Sequence, residues 1–272
     1  MSARAYEKIR VSGLGGDLRG QGGDSLSVCT LTLSNPARKN AIGPQMVNEL
    51  LYALEDAFAA PSVRSIVITG EGNAFCAGGD FAQMTSGGGA DALPPKGDYA
   101  DLLLTLCRSP KPTIARVNGP AMGGGLGIVA ACTFAVAQSD ATLGTPEVNV
   151  GLFPMMIMAV LARLVPRRRL MEMMLFGEKL GADAALSLGL LSRVVPAAEL
   201  DAAVADLSHK VAQKSPSTLR HGLAAFAAQD DLDLETALPM LRDRLAAVLG
   251  TDDAREGLMA FLEKRTPNWT GK

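Results

Sequence analysis

Asn118-Gly119-Pro120-Ala121-Met122-Gly123-Gly124-Gly125-Leu126-Gly127 is the stretch on which the fold of this chain turns. It follows the apolar run Thr113-Ile114-Ala115-Arg116-Val117 and leads into Ile128-Val129-Ala130-Ala131. A strand, a glycine loop and a helix are expected in that order. Without a Cβ, glycine lets main-chain N–H groups come close to a ligand. The first N–H groups of a helix have no intrahelical partner and carry the positive end of its dipole, so a glycine run opening a helix favours a negative charge. Alone, such a run more often serves only a tight turn or close packing.

A second stretch of the same kind changes that balance. Phe75-Cys76-Ala77-Gly78-Gly79-Asp80 follows the β-branched run Ser65-Ile66-Val67-Ile68-Thr69-Gly70 and ends in an acid suited to capping. Two strand-to-loop sites could thus aim two N–H groups at one oxygen.

The paired loops resemble those of the crotonase superfamily, the enoyl-CoA hydratases and isomerases. Asn35-Pro36-Ala37-Arg38-Lys39-Asn40-Ala41, Gly144-Thr145-Pro146-Glu147 and Ala260-Phe261-Leu262-Glu263-Lys264-Arg265 agree with that family in the same order along nearly the whole chain. The resemblance implies an α/β fold, with a ββα spiral core over residues 1–199 and a C-terminal helical trimerisation region over 200–272. No spiral repeat is visible in the sequence itself. It further implies that Ala77 and Gly124 each give one N–H to the thioester oxygen of an acyl-CoA. Glu147 stands where the family places a catalytic glutamate against the acyl carbons. Arg38, Lys39, Ala41 and Ala77 match positions near the coenzyme A moiety, and Phe261 and Lys264 match positions that help bind it across a subunit interface. A homotrimer or a dimer of trimers is expected.

Typical hydratases of the family carry two glutamates, the first two residues beyond the triple glycine. That position is Gly127 here, and only Glu147 matches. Single-base chemistry of the isomerase type is therefore favoured over two-glutamate hydration. The alternatives are a hydratase using Glu147 with some other group, and a non-catalytic acyl-CoA binder. Gly125-Leu126-Gly127-Ile128-Val129-Ala130 also fits a dinucleotide fingerprint, but that motif must follow a strand directly and open a full crossover helix. Val117 ends the strand too early and the next strand begins near Thr133, so a nicotinamide-dependent oxidoreductase is disfavoured.

With 272 residues, 48% of them apolar, the chain has enough material for a substantial core. A net charge of −2 offers no global attraction to nucleic acid or an anionic membrane, and neither is expected as a partner. The four cysteines and two histidines show no metal-ligand spacing, so no metal is expected, and no cofactor beyond the coenzyme A carried by the substrate. The start lacks an apolar targeting segment, which suggests a cytoplasmic enzyme.

Local patterning fills in the rest. Tyr6–Val11 and Leu26–Leu33 read as a strand pair, and Gly43-Pro44 opens a helix with Val47, Leu50, Leu51, Leu54 and Phe58 on one face. The Met-rich segments Met155–Met158 and Leu170–Leu175 read mainly as core filler. Residues 13–23 and 85–97 are rich in glycine or proline and read as loops, the second bordering the acyl pocket by resemblance. From Ala197 on, long amphipathic helices are expected, one with Leu234, Leu238, Leu241, Leu245 and Leu249 in a stripe, and a last one carrying Leu258, Phe261 and Leu262 toward a core.

Overall fold

The computed structural model describes residues 4–14, 27–80, 83 and 93–272. Most of the 13–23 loop, and residues 85–92 of the second loop, lie outside them. In chain order the strands are β1 (Ile9–Ser12), β2 (Ser27–Leu33), β3 (Val63–Gly70), β4 (Thr113–Val117), β5 (Ala121–Met122), β6 (Phe134–Gln138), β7 (Thr142–Gly144), β8 (Lys179–Gly181) and β9 (Arg193–Val195). The helices are α1 (Pro44–Ala59), α2 (Tyr99–Cys107), α3 (Gly124–Ala131), α4 (Met155–Leu161), α5 (Arg167–Phe176), α6 (Ala182–Ser187), α7 (Leu200–Ala212), α8 (Pro216–Gln229), α9 (Leu234–Leu249) and α10 (Asp252–Glu263).

Six strands form one sheet in the order β1-β2-β3-β4-β6-β9, antiparallel only between β1 and β2, while β5, β7 and β8 make a smaller sheet beside it. Strand side chains alternate between faces, and the sequence uses both. Ile66, Ile68, Ala115, Val117, Ala135 and Ala137 join the main core with α1, α3 and α4. The intervening Val67, Ile114 and Val136 meet Leu200, Val204 and Leu207 of α7 on the other face. A parallel sheet covered on both sides needs such near-continuous apolar runs. The first helix of the expected 200–272 region is thus a layer of the sheet rather than part of the outlying helices.

Helix α1 begins at Pro44 behind Gly43, and Val47, Leu50, Leu51 and Leu54 are buried. The Met-rich segments depart from the core reading: Met173 and Met174 are buried, but Met155, Met156 and Met171 are exposed. The leucines of α9 (Leu234, Leu238, Leu245 and Leu249) are likewise exposed, as are Leu258, Phe261 and Leu262 of α10. The spacing does form amphipathic helices, but within one chain α10 packs mainly on α8 and α9 among the described residues, and these large apolar side chains stay exposed. No helix among the described residues is long and apolar enough to cross a membrane.

Asp253, in the first turn of α10, ties the end of the chain down. It accepts from Ser215 Oγ at 2.7 Å, Ser217 Oγ at 3.1 Å, Thr270 N at 2.7 Å and Gly271 N at 3.0 Å. Burial works against its charge, yet these hydrogen bonds win and hold its carboxyl down at about 2. A depressed folded value gives stability that is present above the ordinary aspartate range near ~3.9 and is lost as pH falls toward 2. Asp253→Ala should cost roughly 2–4 kcal/mol by orphaning these donors. Thermal unfolding at neutral pH checks this, and an unchanged midpoint would count against it.

Candidate active site

The site is built where the two glycine loops are laced together. Asn118, at the end of β4, donates to Gly70 O at 2.8 Å and Gly72 O at 2.9 Å and accepts from Gly70 N at 3.1 Å. Asn40 holds the same segment, donating to Glu71 O and Ala74 O, both at 2.9 Å. The loops then meet directly: Cys76 N donates to Pro120 O at 3.1 Å and Met122 N to Cys76 O at 2.9 Å. Gly78 (φ 107°) and Gly123 (φ 49°) occupy backbone conformations that side-chain-bearing residues rarely adopt, which accounts for glycine at both.

Gly123 caps α3 and Gly124 is its first residue, so the Gly124 N–H has no intrahelical acceptor, and it has no other partner among the described residues. The first loop differs from the expectation. The Ala77 N–H donates to Lys39 O at 2.9 Å and is therefore not free for a ligand. Ile42 N donates to Gly78 O and Asp80 N to Ile42 O, each at 2.8 Å, which turns the intervening Gly79 N–H away from Ile42. Gly79 N–H has no partner among the described residues, so it is free to donate where Ala77 N–H is not. No feature of Ala77-Gly78-Gly79 in the bare sequence decides which N–H is spent; the pairing with residues 39–42 does.

Glu147 lies in the 3₁₀ turn Pro146–Val150, which starts beside the buried Thr145, whose hydroxyl donates to Met173 O at 2.8 Å. The turn is closed by Gly151, and Leu152 N donates to Glu147 O at 3.0 Å. The carboxylate stands over the start of α3: a Cβ on Gly123 would lie 2.8 Å from Glu147 Oε1 and 3.7 Å from Gly78 Cα. Glu147 Oε2 is buried without a hydrogen-bond partner among the described residues. An unpaired buried carboxylate oxygen is costly, and burial accordingly pushes the Glu147 carboxyl above its ordinary value.

The residues expected at the coenzyme A end divide. Arg38, Lys39 and Ala41 are brought to the first loop: Arg38 Nη1 pairs with the buried Asp80 at 2.8 Å, and Lys39 is exposed. Phe261 is 81% exposed and Lys264 is exposed at the end of α10, packed with α8 and α9 rather than at the glycine loops. Tyr99 is a site residue that the sequence did not point to. It opens α2, and its hydroxyl donates to Gly124 O at 2.5 Å. One aromatic residue at a helix start carries no sequence signal of that reach.

The family model of enoyl-CoA hydratase/isomerase matches residues 23–272. Human enoyl-CoA hydratase domain-containing protein 3, mitochondrial, is 36% identical over 241 residues, covering 88% of this chain and 80% of that protein. The crystal structure of an enoyl-CoA hydratase from Mycobacterium smegmatis superposes with a TM-score of 0.85 at 34% identity, covering 97% of this chain and 99% of the other. An enoyl-CoA hydratase structure from Bacillus anthracis gives the same TM-score at 27% identity, with 98% and 100% covered. Since sequence and fold agree over nearly the entire length, this protein belongs to the enoyl-CoA hydratase/isomerase family and has the crotonase fold.

Proposed function

We propose that the chain acts on an acyl-CoA thioester through an enolate, with one glutamate moving the proton, and that its preferred reaction is migration of a double bond. The observation that carries this reading is the placement of Glu147: a half-buried side chain whose Oε2 is buried and unpaired, set over the first turn of α3 where an N–H group is also free. Gly124 N–H and, in place of Ala77, Gly79 N–H are the donors to the thioester oxygen. On a 3-enoyl-CoA, Glu147 takes a proton from C2, and the C–H electron pair moves toward the carbonyl, whose oxygen gains the negative charge held by the two donors. The pair then returns, C2 and C3 become doubly bonded, and the C3–C4 π pair takes the same proton from Glu147 at C4. Atoms and charge balance, and no further cofactor is needed.

Such a base works only when ionised. Because burial raises the Glu147 carboxyl above its ordinary value of 4.5, kcat/KM should rise with pH through an inflection above 4.5. An inflection at or below that value would contradict the role. The substrate class is tested by incubating the protein with 2-enoyl-, 3-enoyl- and 3-hydroxyacyl-CoA thioesters and identifying products by mass. Turnover of none, with coenzyme A still bound, would support the non-catalytic binder instead.

The exposed leucines of α9 and α10, with Phe261, favour assembly into a homotrimer or a dimer of trimers, in which Phe261 and Lys264 reach a neighbour's coenzyme A. Lys264→Ala should then weaken coenzyme A binding, more at low salt than at high salt, if the ammonium meets a phosphate. Equal low-salt affinity of parent and variant would remove Lys264 from the site.

A further inference from the structure

Gly127 has no room for a side chain. A Cβ there would lie 2.3 Å from Tyr99 Oη and 2.4 Å from Ile157 Cγ2. The same hydroxyl lies 3.5 Å from where a Gly124 side chain would begin, while Glu147 Oε1 covers Gly123. Two side chains therefore stand over the first turn of α3, one acidic and one phenolic, each above glycine. Burial pushes the Tyr99 phenol well above its ordinary value, with the charges of Cys76 and Glu147 adding to the effect, so the hydroxyl keeps its proton. That single proton is given to Gly124 O at 2.5 Å. Ile157, whose Cγ2 and Cβ are the next nearest atoms, offers only carbon.

We propose that Tyr99 is a specificity-determining residue: together with Ile157 it fills the space over Gly127 beside Glu147 and excludes the water that hydration would require. Tyr99 Oη and Ile157 Cγ2 already occupy the space over Gly127, so a water has no volume there, and Glu147 is left to return its proton to carbon. This rests on the acyl-CoA reading of Glu147, deepens it by naming what suppresses the competing reaction, and makes Tyr99 and Gly127 a matched pair.

The test compares 2-enoyl-CoA hydration with 3-enoyl-CoA isomerisation in the parent protein, Tyr99→Ala and Tyr99→Phe. Opening the space with alanine should raise the ratio of hydration to isomerisation by on the order of tenfold or more. Phenylalanine removes the Oη nearest Gly127 but keeps the ring, and should raise the ratio by less than alanine does. A purely structural tyrosine would lower both rates in Tyr99→Ala without moving the ratio, and that result would overturn the proposal. A thermal-unfolding cycle gives a readout independent of turnover. Gly127→Ala should destabilise the parent more than it destabilises Tyr99→Ala, because part of the overlap is gone. Equal destabilisation in both backgrounds would show that Tyr99 does not hold this space. If the cycle shows coupling while neither thioester is turned over, the acyl-CoA reading fails and not the placement of Tyr99; the specificity role falls with that reading.

Discussion

Glu147→Gln should lose about 10²–10⁴-fold in turnover of whichever enoyl-CoA the parent protein accepts, while binding of the thioester stays close to parental. The amide has the size and shape of the carboxylate, so the packing around Thr145 and Gly151 is kept. It cannot take a proton at neutral pH. With the thioester held elsewhere, by main-chain N–H groups and by contacts to coenzyme A, the loss belongs to kcat rather than to affinity. Relief of the buried, unpaired Glu147 Oε2 should at the same time leave the variant no less stable than the parent. Near-parental turnover would remove Glu147 from the mechanism.

A second large effect is expected at a residue with no side chain. Gly124→Pro deletes one N–H at the first position of α3, where proline is well tolerated because that N–H has no intrahelical partner. If this N–H supports the enolate oxygen, turnover should drop by about 10²–10³. Gly124→Ala is the control, since it adds the same Cβ, 3.1 Å from Ile42 Cγ2, but keeps the N–H. The alanine variant should retain most of the turnover that the proline variant loses. Steady-state rates of the two folded proteins decide the matter, and equal rates would place the developing charge elsewhere.

How far the sequence reaches depends on whether the relevant physics is local. The run Val63–Gly70 and the run Thr113–Val117 are strands because their β-branched and apolar residues suit a sheet buried on both faces, and that is visible residue by residue. The short α3 is equally local, bounded by Gly123 and the strand at Phe134. The choice between Ala77 and Gly79 is not local. It depends on Lys39 O and Ile42 arriving alongside the loop from a segment more than thirty residues earlier, after which parity of the extended backbone decides which N–H is spent.

Gly127 could be seen to lack a carboxylate, but not that Tyr99 and Ile157 fill its space, because these arrive from α2 and α4. The leucine stripe of α9 shows a different limit. Helical spacing states that a face must be covered, and says nothing about whether the cover comes from the same chain. Here Leu234, Leu238, Leu245 and Leu249 stay exposed within one chain.

Whether a single glutamate beside a water-excluding tyrosine moves a double bond in preference to adding water is tested most directly by one comparison. The unmodified protein is given a 3-enoyl-CoA and, separately, the corresponding 2-enoyl-CoA, and initial rates of isomerisation and hydration are measured under the same conditions. The first should yield the conjugated 2-enoyl-CoA, and the second should be hydrated slowly or not at all. Hydration far faster than isomerisation would contradict the assignment of Glu147 as a lone proton shuttle and of Tyr99 as its guard against water.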